Sequence, residues 1–331
     1  MIELAPDDPR LGAAGVAAFV RKDDRWEPLR LPAATLPLLH PELALKVRMA
    51  AGIRFRFTTD AVALTLPVDV EDAVVTSPFD ILVDGRLAHR ARADEGVIRV
   101  RLPAGPKRVE LWLPQFGVLR LGRLRLDGSQ VEAAGDRGLR FAVYGSSITQ
   151  CREAEGPSET WPALVAREHG WDLRCLGVGG QCHLDPAVAR YLRETPAELI
   201  ALCLGINVHN QGTFTERSLG AAVMGFVQTV RDGHPRTPIV VMTPIASPER
   251  EHLPSAAGLT LAEVRSIVRL AAEQLIEAGD ERLTILDGLA TLGPADAALL
   301  HDGLHPNAEG YRLMAERLAG PLAAASRQRD A

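Results

Sequence analysis

The sequence predicts an all-β sandwich or jelly roll over residues 1–135, followed over residues 139–331 by an α/β domain built on a five-stranded parallel sheet. Three observations carry this expectation. Between residues 52 and 126 apolar side chains recur at every second position, the period of a strand buried on one face. Beyond residue 139 short apolar runs alternate with helical patterns, as in a parallel sheet covered on both faces. Between the two lies Ala133-Ala134-Gly135-Asp136-Arg137-Gly138, small and polar enough for a linker. With 331 residues, 47% of them hydrophobic, the chain can fill two cores.

Residues 37–50 mix Leu, Val and Met with charges at helical spacing and predict one helix leading into the sandwich. The alternating runs follow: Ile53, Phe55, Phe57; then Ile98, Val100, Leu102; then Val109, Leu111, Leu113. Turn signals at Asp84-Gly85, Pro103-Ala104-Gly105-Pro106 and Asp127-Gly128 predict antiparallel hairpins. Arginines interleave with the apolar residues, as in Arg54/Arg56 and Arg99/Arg101, and are expected on a solvated face. Across Gly122 the apolar phase slips from Leu119/Leu121 to Leu124/Leu126, which predicts a bulge or bend. In the second half, strands are expected at 139–144, 173–176, 199–204, 239–242 and 283–286, and helices near 160–168, 186–193, 216–231, 261–277 and 308–325. Ligands of such sheets sit beyond the carboxyl ends of the strands.

Composition excludes several classes of partner. A net charge of −5 leaves no basic footprint for nucleic acid or an anionic membrane. No apolar run approaches the about 18 residues of a membrane span, and the acidic start, Met1-Ile2-Glu3-Leu4-Ala5-Pro6-Asp7-Asp8, lacks the basic and apolar regions of a signal peptide. A cytoplasmic protein with reduced thiols is therefore expected. Its four cysteines form no CxxC pair, and Cys151 with Cys182 is the one pairing left open.

The chemistry-bearing residues collect at the predicted strand ends. Ser147 follows the first α/β strand, Gly179-Gly180 the second, and Gly205-Ile206-Asn207 the third, while Asp302 and His305 lie in a loop after the last. A serine after a strand is, by itself, a common helix cap. An imidazole that takes its proton makes it a nucleophile, and a carboxylate on the far ring nitrogen fixes the tautomer and stabilises the imidazolium. An Asn amide and a glycine N–H can then donate to a tetrahedral oxyanion. Gly145-Ser146-Ser147-Ile148, Gly177-Val178-Gly179-Gly180, Gly205-Ile206-Asn207 and Asp302-Gly303-Leu304-His305 resemble, in order and position, the four blocks of the SGNH (GDSL-type) hydrolases.

The resemblance covers Arg140 to about Leu318 and implies a three-layer, flavodoxin-like α/β/α domain. It assigns Ser147 as nucleophile, His305 as base and Asp302 as its partner, with Ser147 N–H, Gly180 and Asn207 as oxyanion donors. Where the family usually has Gly-Asp-Ser, this chain has Gly145-Ser146-Ser147, and Cys175 stands where many members have Asn. With a sandwich in front, the chain looks like a two-domain bacterial branch that includes carbohydrate esterases and actinomycete natural-product acyltransferases.

Other patterns lead elsewhere. His301 and His305 have the spacing of a zinc pair, but Gly303 and Pro306 oppose a helix and no third ligand is evident, so no metal is expected. Gly177-x-Gly179 is a partial dinucleotide fingerprint with Cys182 at the third glycine, so no cofactor is expected. Arg152 and His209, near Ser147 and Asn207, are candidate substrate contacts, and residues 244–258 are long enough for a pocket wall or lid. The expected activity is hydrolysis of acyl esters of a small molecule or carbohydrate through an acyl-Ser147 intermediate. The alternatives are transfer from an ester or thioester donor to a hydroxyl of a sugar or polyketide, and a non-catalytic carbohydrate-binding protein.

Overall fold

The computed structural model describes residues 1–72, 75–93, 95–135 and 138–330, the last two by backbone alone; Asp136 and Arg137 of the expected linker lie outside them. The chain divides into two compact units. One comprises Met1–Gly138 with Glu155–Ser158 and Asp172–Cys175, the other Leu139–Ala154, Glu159–Trp171 and Leu176–Ala331.

The first unit runs through β1 (Ile2–Leu4), β2 (Ala18–Lys22), β3 (Arg25–Leu29), α1 (Pro41–Val47), β4 (Arg54–Thr59), β5 (Ala63–Val70) and β6 (Phe79–Val83). It continues with β7 (Arg86–Ala91), β8 (Val97–Arg101), β9 (Lys107–Trp112), β10 (Leu119–Leu121), β11 (Leu124–Leu126) and β12 (Val131–Ala133). Two sheets result, ordered β1-β11-β5-β10-β3-β2 with β8 also on β5, and β12-β4-β9-β6-β7. Their inward residues, among them Phe55, Phe57, Leu64, Leu66, Ile98 and Leu111, form one core, so the unit is a sandwich. At Gly122 the expected bulge is present. Leu121 faces Val68 and Arg125 faces Thr65, leaving residues 122–124 opposite only Leu66 and Pro67.

Two expectations fail here. Residues 37–50 do not make one helix: Pro37 lies in a short 3₁₀ segment, Ala33–Leu38, and α1 starts afresh at Pro41, whose missing N–H suits a first turn. Arg99 and Arg101 are solvated, but Arg54 and Arg56 are only 2% and 7% exposed. The Arg54 guanidinium donates to Gly52 O at 3.1 Å, Leu173 O at 3.0 Å and Asp172 Oδ1 at 2.6 Å, and lies over Trp112. Alternation reports that one face is apolar; it does not report that the other is wet.

A third sheet takes β13 (Arg140–Gly145), β14 (Asp172–Gly177), β15 (Leu199–Cys203), β16 (Ile239–Met242) and β17 (Leu283–Leu286), in the order β14-β13-β15-β16-β17. The β13/β15, β15/β16 and β16/β17 pairs are parallel. The helices are α2 (Ser147–Gln150), α3 (Trp161–His169), α4 (Pro186–Glu194), α5 (Ile206–Gln211), α6 (Glu216–Gly233), α7 (Leu261–Glu277), α8 (Gly288–Thr291) and α9 (Ala308–Ser326). α3 packs on α9, and α4 and α7 pack on α6. The five long helices match the sequence expectation to within about two residues, because their caps are written locally: Thr160 accepts from Ala163 N–H, Thr260 and Glu263 form a capping box, and Asn307 accepts from Gly310 N–H. Among the described residues no helix is long and apolar enough to cross a membrane.

The strand order is the doubly wound one whose direction reverses between the first and third strands, a switch point that opens a crevice at the carboxyl edge. Ser147 follows β13 and Asn207 follows β15, so the two stand on either side of it.

Within the first unit, the Asp80 carboxylate has no exposure and accepts from Arg90 Nε at 2.8 Å, Ser158 N–H at 3.0 Å and Ser158 Oγ at 2.7 Å. Arg90 Nη2 donates to it as well, at 3.2 Å, so removing the carboxylate strands four donors. Asp80→Ala is expected to destabilise this unit by about 3 kcal/mol, measured as a lowered urea midpoint at unchanged m-value.

Candidate active site

β13 ends at Gly145 and the chain turns at once into α2. Ser146 caps this helix, its Oγ accepting from Ile148 N–H at 3.2 Å, so the residue in place of the usual Asp is occupied with a structural bond. Ser147 takes the first helical position. Its N–H is one of the first-turn donors that no helical carbonyl can satisfy, and no acceptor among the described residues takes it.

The Ser147 hydroxyl lies 2.8 Å from His305 Nε2, and His305 Nδ1 lies 2.7 Å from Asp302 Oδ2. With Nδ1–H donating to the carboxylate, Nε2 is left as acceptor for the serine proton. The other carboxylate oxygen, Asp302 Oδ1, accepts the backbone N–H groups of Leu304 at 3.0 Å and His305 at 2.7 Å. A three-residue Asx-type turn thus fixes imidazole and carboxylate together. Partial burial pushes the Asp302 carboxyl up, but the His305 backbone N–H, its imidazole and its charge, with Leu304 N–H, outweigh this and bring it down to about 2.

After β14 the chain makes a tight turn closed by Gln181 N–H to Val178 O at 2.9 Å. Gly180 occupies its third position with φ +73°, the geometry of a type II turn, which a side chain there would strain. A Cβ on Gly179 would come within 3.5 Å of Ser147 Cβ, so the turn abuts the serine. The Gly179 N–H is taken by Gln150 Oε1 at 2.8 Å, whereas the Gly180 N–H has no acceptor among the described residues. After β15, Gly205 caps α5 and Asn207 sits in its first turn, 2% exposed. Asn207 Oδ1 accepts Cys182 N–H at 3.0 Å, which fixes the amide's orientation and leaves Nδ2 without a protein partner among the described residues.

Three donors therefore stand open beside a hydroxyl already bonded to an imidazole. A profile of the GDSL-like lipase/acylhydrolase family matches residues 143–313, which contain all of these groups. The chain belongs to this family. Among solved structures, the salicylyl-acyltransferase SsfX3 from a tetracycline biosynthetic pathway is 32% identical over 98% of this chain and 97% of its own, with a TM-score of 0.90. A putative GDSL-like lipase from Bacteroides ovatus is 20% identical over 95% of each chain, with a TM-score of 0.80. A family two carbohydrate esterase from Cellvibrio japonicus is 17% identical over 99% of this chain and 98% of its own, with a TM-score of 0.68. The latter two share the fold. No curated protein sequence matches the chain.

In this GDSL-like chain the remaining candidates are placed as follows. Arg152 is exposed, its guanidinium 3.7 Å from Glu153. His209 is buried on α5; Nε2 donates to Leu253 O at 3.0 Å, and Nδ1 has no partner among the described residues. Residues 244–258 are tied down by hydrogen bonds to α5, α7 and the turn at Gly303. Arg265 donates to Pro244 O, Ile245 O and both Glu251 oxygens, Arg250 donates to Asn210 Oδ1 at 2.8 Å, and Ser247 Oγ donates to Gly303 O at 2.7 Å. His301 lies in the turn before His305, not on a helix with it, and no metal-binding cluster occurs among the described residues. All four cysteines carry thiols. Sequence reasoning missed Gln150 and Gln211. Gln211 lies four residues after Asn207, a spacing that marks one face of α5, but so short a helix has no visible periodicity.

Because Asp302 has a lowered pKa, its charged form contributes stability above the ordinary carboxylate range, and the contribution fades as pH falls toward about 2. A carbon-detected titration is expected to place the Asp302 midpoint near 2, with no inflection of kcat/KM from this group above about pH 3. Gly180→Ala should cost about 1–2 kcal/mol in the left-handed region and favour a type I turn that points residue 180's N–H away, lowering kcat more than it raises KM. Steady-state kinetics beside thermal unfolding separates the two effects.

Proposed function

We propose that the protein is an esterase that cleaves acyl esters of a small molecule or carbohydrate through an acyl-Ser147 intermediate. The observation that carries this is the unbroken relay from Ser147 Oγ to His305 Nε2 and from His305 Nδ1 to Asp302 Oδ2, at 2.8 and 2.7 Å, with three uncommitted donors around the hydroxyl. Ser147 Oγ attacks the ester carbonyl as His305 Nε2 takes its proton. The resulting oxyanion accepts from Ser147 N–H, Gly180 N–H and Asn207 Nδ2. Collapse breaks the carbon–oxygen bond, and the imidazolium returns the proton to the leaving alkoxide. Water then attacks the acyl-enzyme with its proton going to His305, and the second tetrahedral adduct expels Ser147 Oγ, which recovers a proton from His305. Asp302 remains ionised throughout and stabilises the imidazolium.

Water suits this site because the His305 and Asp302 side chains keep 27% and 43% of their exposure. A second reading, transfer of the acyl group from an ester or thioester to a hydroxyl of a sugar or polyketide, is favoured by the 32% identity to the salicylyl-acyltransferase across nearly the whole of both chains. Both readings use the same acyl-enzyme and differ in what reaches it. The four thiols accord with a reducing, cytoplasmic setting. The N-terminal tryptophans, Trp26 and Trp112, are each 1% exposed, so neither offers a stacking platform for sugars, which weighs against a purely carbohydrate-binding protein.

A fluorophosphonate is expected to label wild type covalently and leave Ser147→Ala unlabelled; equal labelling would remove Ser147 from its role. Asn207→Ala should lower kcat by about 10²–10³ while the fluorophosphonate still reaches Ser147. Supplying an activated acyl donor with and without hydroxyl acceptors decides between the two readings: free acid alone throughout supports the esterase, and an acylated acceptor the transferase.

A further inference from the structure

We propose that Gln211 is a positioning residue for acyl transfer, its side-chain amide holding the Gly179-Gly180 turn so that the Gly180 N–H stays aimed at the developing oxyanion. The proposal rests on the acyl-Ser147 reading and adds to it a residue outside the four sequence blocks.

Two adjacent glycines give this turn more backbone freedom than any other pair of residues would. A donor carried on such a turn is useful only if that freedom has been removed before the reaction, because a displacement of about 1 Å can cost 10²-fold in rate. Within the turn a single backbone bond, Gln181 N–H to Val178 O, closes the loop. The rest of the restraint comes from side chains on both flanks. Upstream, Gln150 Oε1 accepts the Gly179 N–H at 2.8 Å. Downstream, Gln211 Nε2 donates to Gly180 O at 2.5 Å, and His183 Nε2 donates to the same oxygen at 3.0 Å while its Nδ1 accepts from Thr213 Oγ1 at 3.1 Å. The Gly179–Gly180 peptide, which bears the donor, is thus held between two fixed points.

The placement of Gln211 on α5 makes the restraint specific to the site. Asn207 and Gln211 are four residues apart on this helix and face the same way. Asn207 Oδ1 takes Cys182 N–H while Gln211 takes Gly180 O, so one helix grips residues 180–182 at both ends. The Gly180 N–H and Asn207 Nδ2 are thereby fixed relative to each other. Gln211 itself is exposed, so truncating it opens no cavity.

With p-nitrophenyl acetate as the probe ester, Gln211→Ala is expected to lower kcat about tenfold with KM within about twofold of wild type, and to weaken inhibition by a trifluoromethyl ketone by the same factor. The unfolding midpoint should stay at the wild-type value. Gln211→Glu exchanges the donor for an acceptor and should be at least as impaired at neutral pH; its activity relative to wild type should recover on acidification, when a protonated carboxyl can donate to Gly180 O. A kcat for Gln211→Ala equal to that of wild type, a rise in KM alone, or a variant-to-wild-type ratio for Gln211→Glu that is flat in pH overturns the proposal. Fluorophosphonate labelling keeps the two readings apart. An unlabelled wild type fails the acyl-Ser147 reading and this proposal with it, whereas a labelled wild type beside a fully active Gln211→Ala fails only the role of Gln211.

Discussion

A serine hydroxyl gives up its proton near neutral pH only when an imidazole of the correct tautomer is within hydrogen-bonding distance, and here that contact joins residues 158 positions apart at 2.8 Å. The sheet order makes this demanding. β17, which precedes the histidine loop, is separated from β13, which precedes the serine, by both β15 and β16. The connection from β17 to α9 must therefore cross back over the carboxyl edge of the sheet. It does so through α8, a 3₁₀ segment at Pro294–Leu299 and a bridge between Leu300 and Pro306, which narrows the loop to the turn that carries Asp302 and His305. Ser247, fully buried, then fastens that turn through the Gly303 carbonyl.

The donors around the serine show the complementary requirement. Backbone N–H groups near a folded core nearly always find an acceptor, since leaving one unpaired costs about 1–3 kcal/mol. Ser147 and Gly180 keep theirs open because each stands where a strand has just ended and the next element offers no carbonyl: the first turn of α2 in one case, the third position of a type II turn in the other. Neighbouring polar groups, by contrast, are spent. Ser146 caps α2, Gln150 and Gln211 hold the glycine turn, and Asn207 gives its oxygen to Cys182 while keeping its nitrogen. Local bonds are satisfied while, among the described residues, the donors at Ser147, Gly180 and Asn207 Nδ2 keep no protein partner.

The N-terminal sandwich follows the opposite logic, in that buried charges such as Arg30, Arg54 and Asp80 are spent on structural bonds. Arg30, with no exposure, donates to Met49 O at 2.7 Å and Cys175 O at 3.1 Å, and burial lowers its pKa to about 10 without discharging it at neutral pH. Together with Arg54 on Asp172 and Asp80 on Ser158, it ties Asp172–Cys175 and Glu155–Ser158 into this unit, although in sequence both segments fall after residue 139. A domain boundary drawn from composition alone cannot anticipate such excursions, because long polar side chains reach across sequence in ways no periodicity records.

By itself the sequence determined the two layers of organisation, the five parallel strands with their long capped helices, the bulge at Gly122, and the order of Ser147, Gly180, Asn207, Asp302 and His305 at the strand ends. These are legible because hydrophobic period, capping residues and glycine positions are local, and because four short blocks in a fixed order are specific where one is not. Only the tertiary structure decided that Arg54 and Arg56 are buried, that His209 turns toward Leu253, that the loop after β16 is tied to α7 and to Gly303, and that Gln211 of α5 donates to the Gly180 carbonyl. Each of these depends on partners far along the chain, which no local period records. Hydrogen-bond partners at that distance are chosen by how the sheet is wound, and the winding is a property of the whole chain.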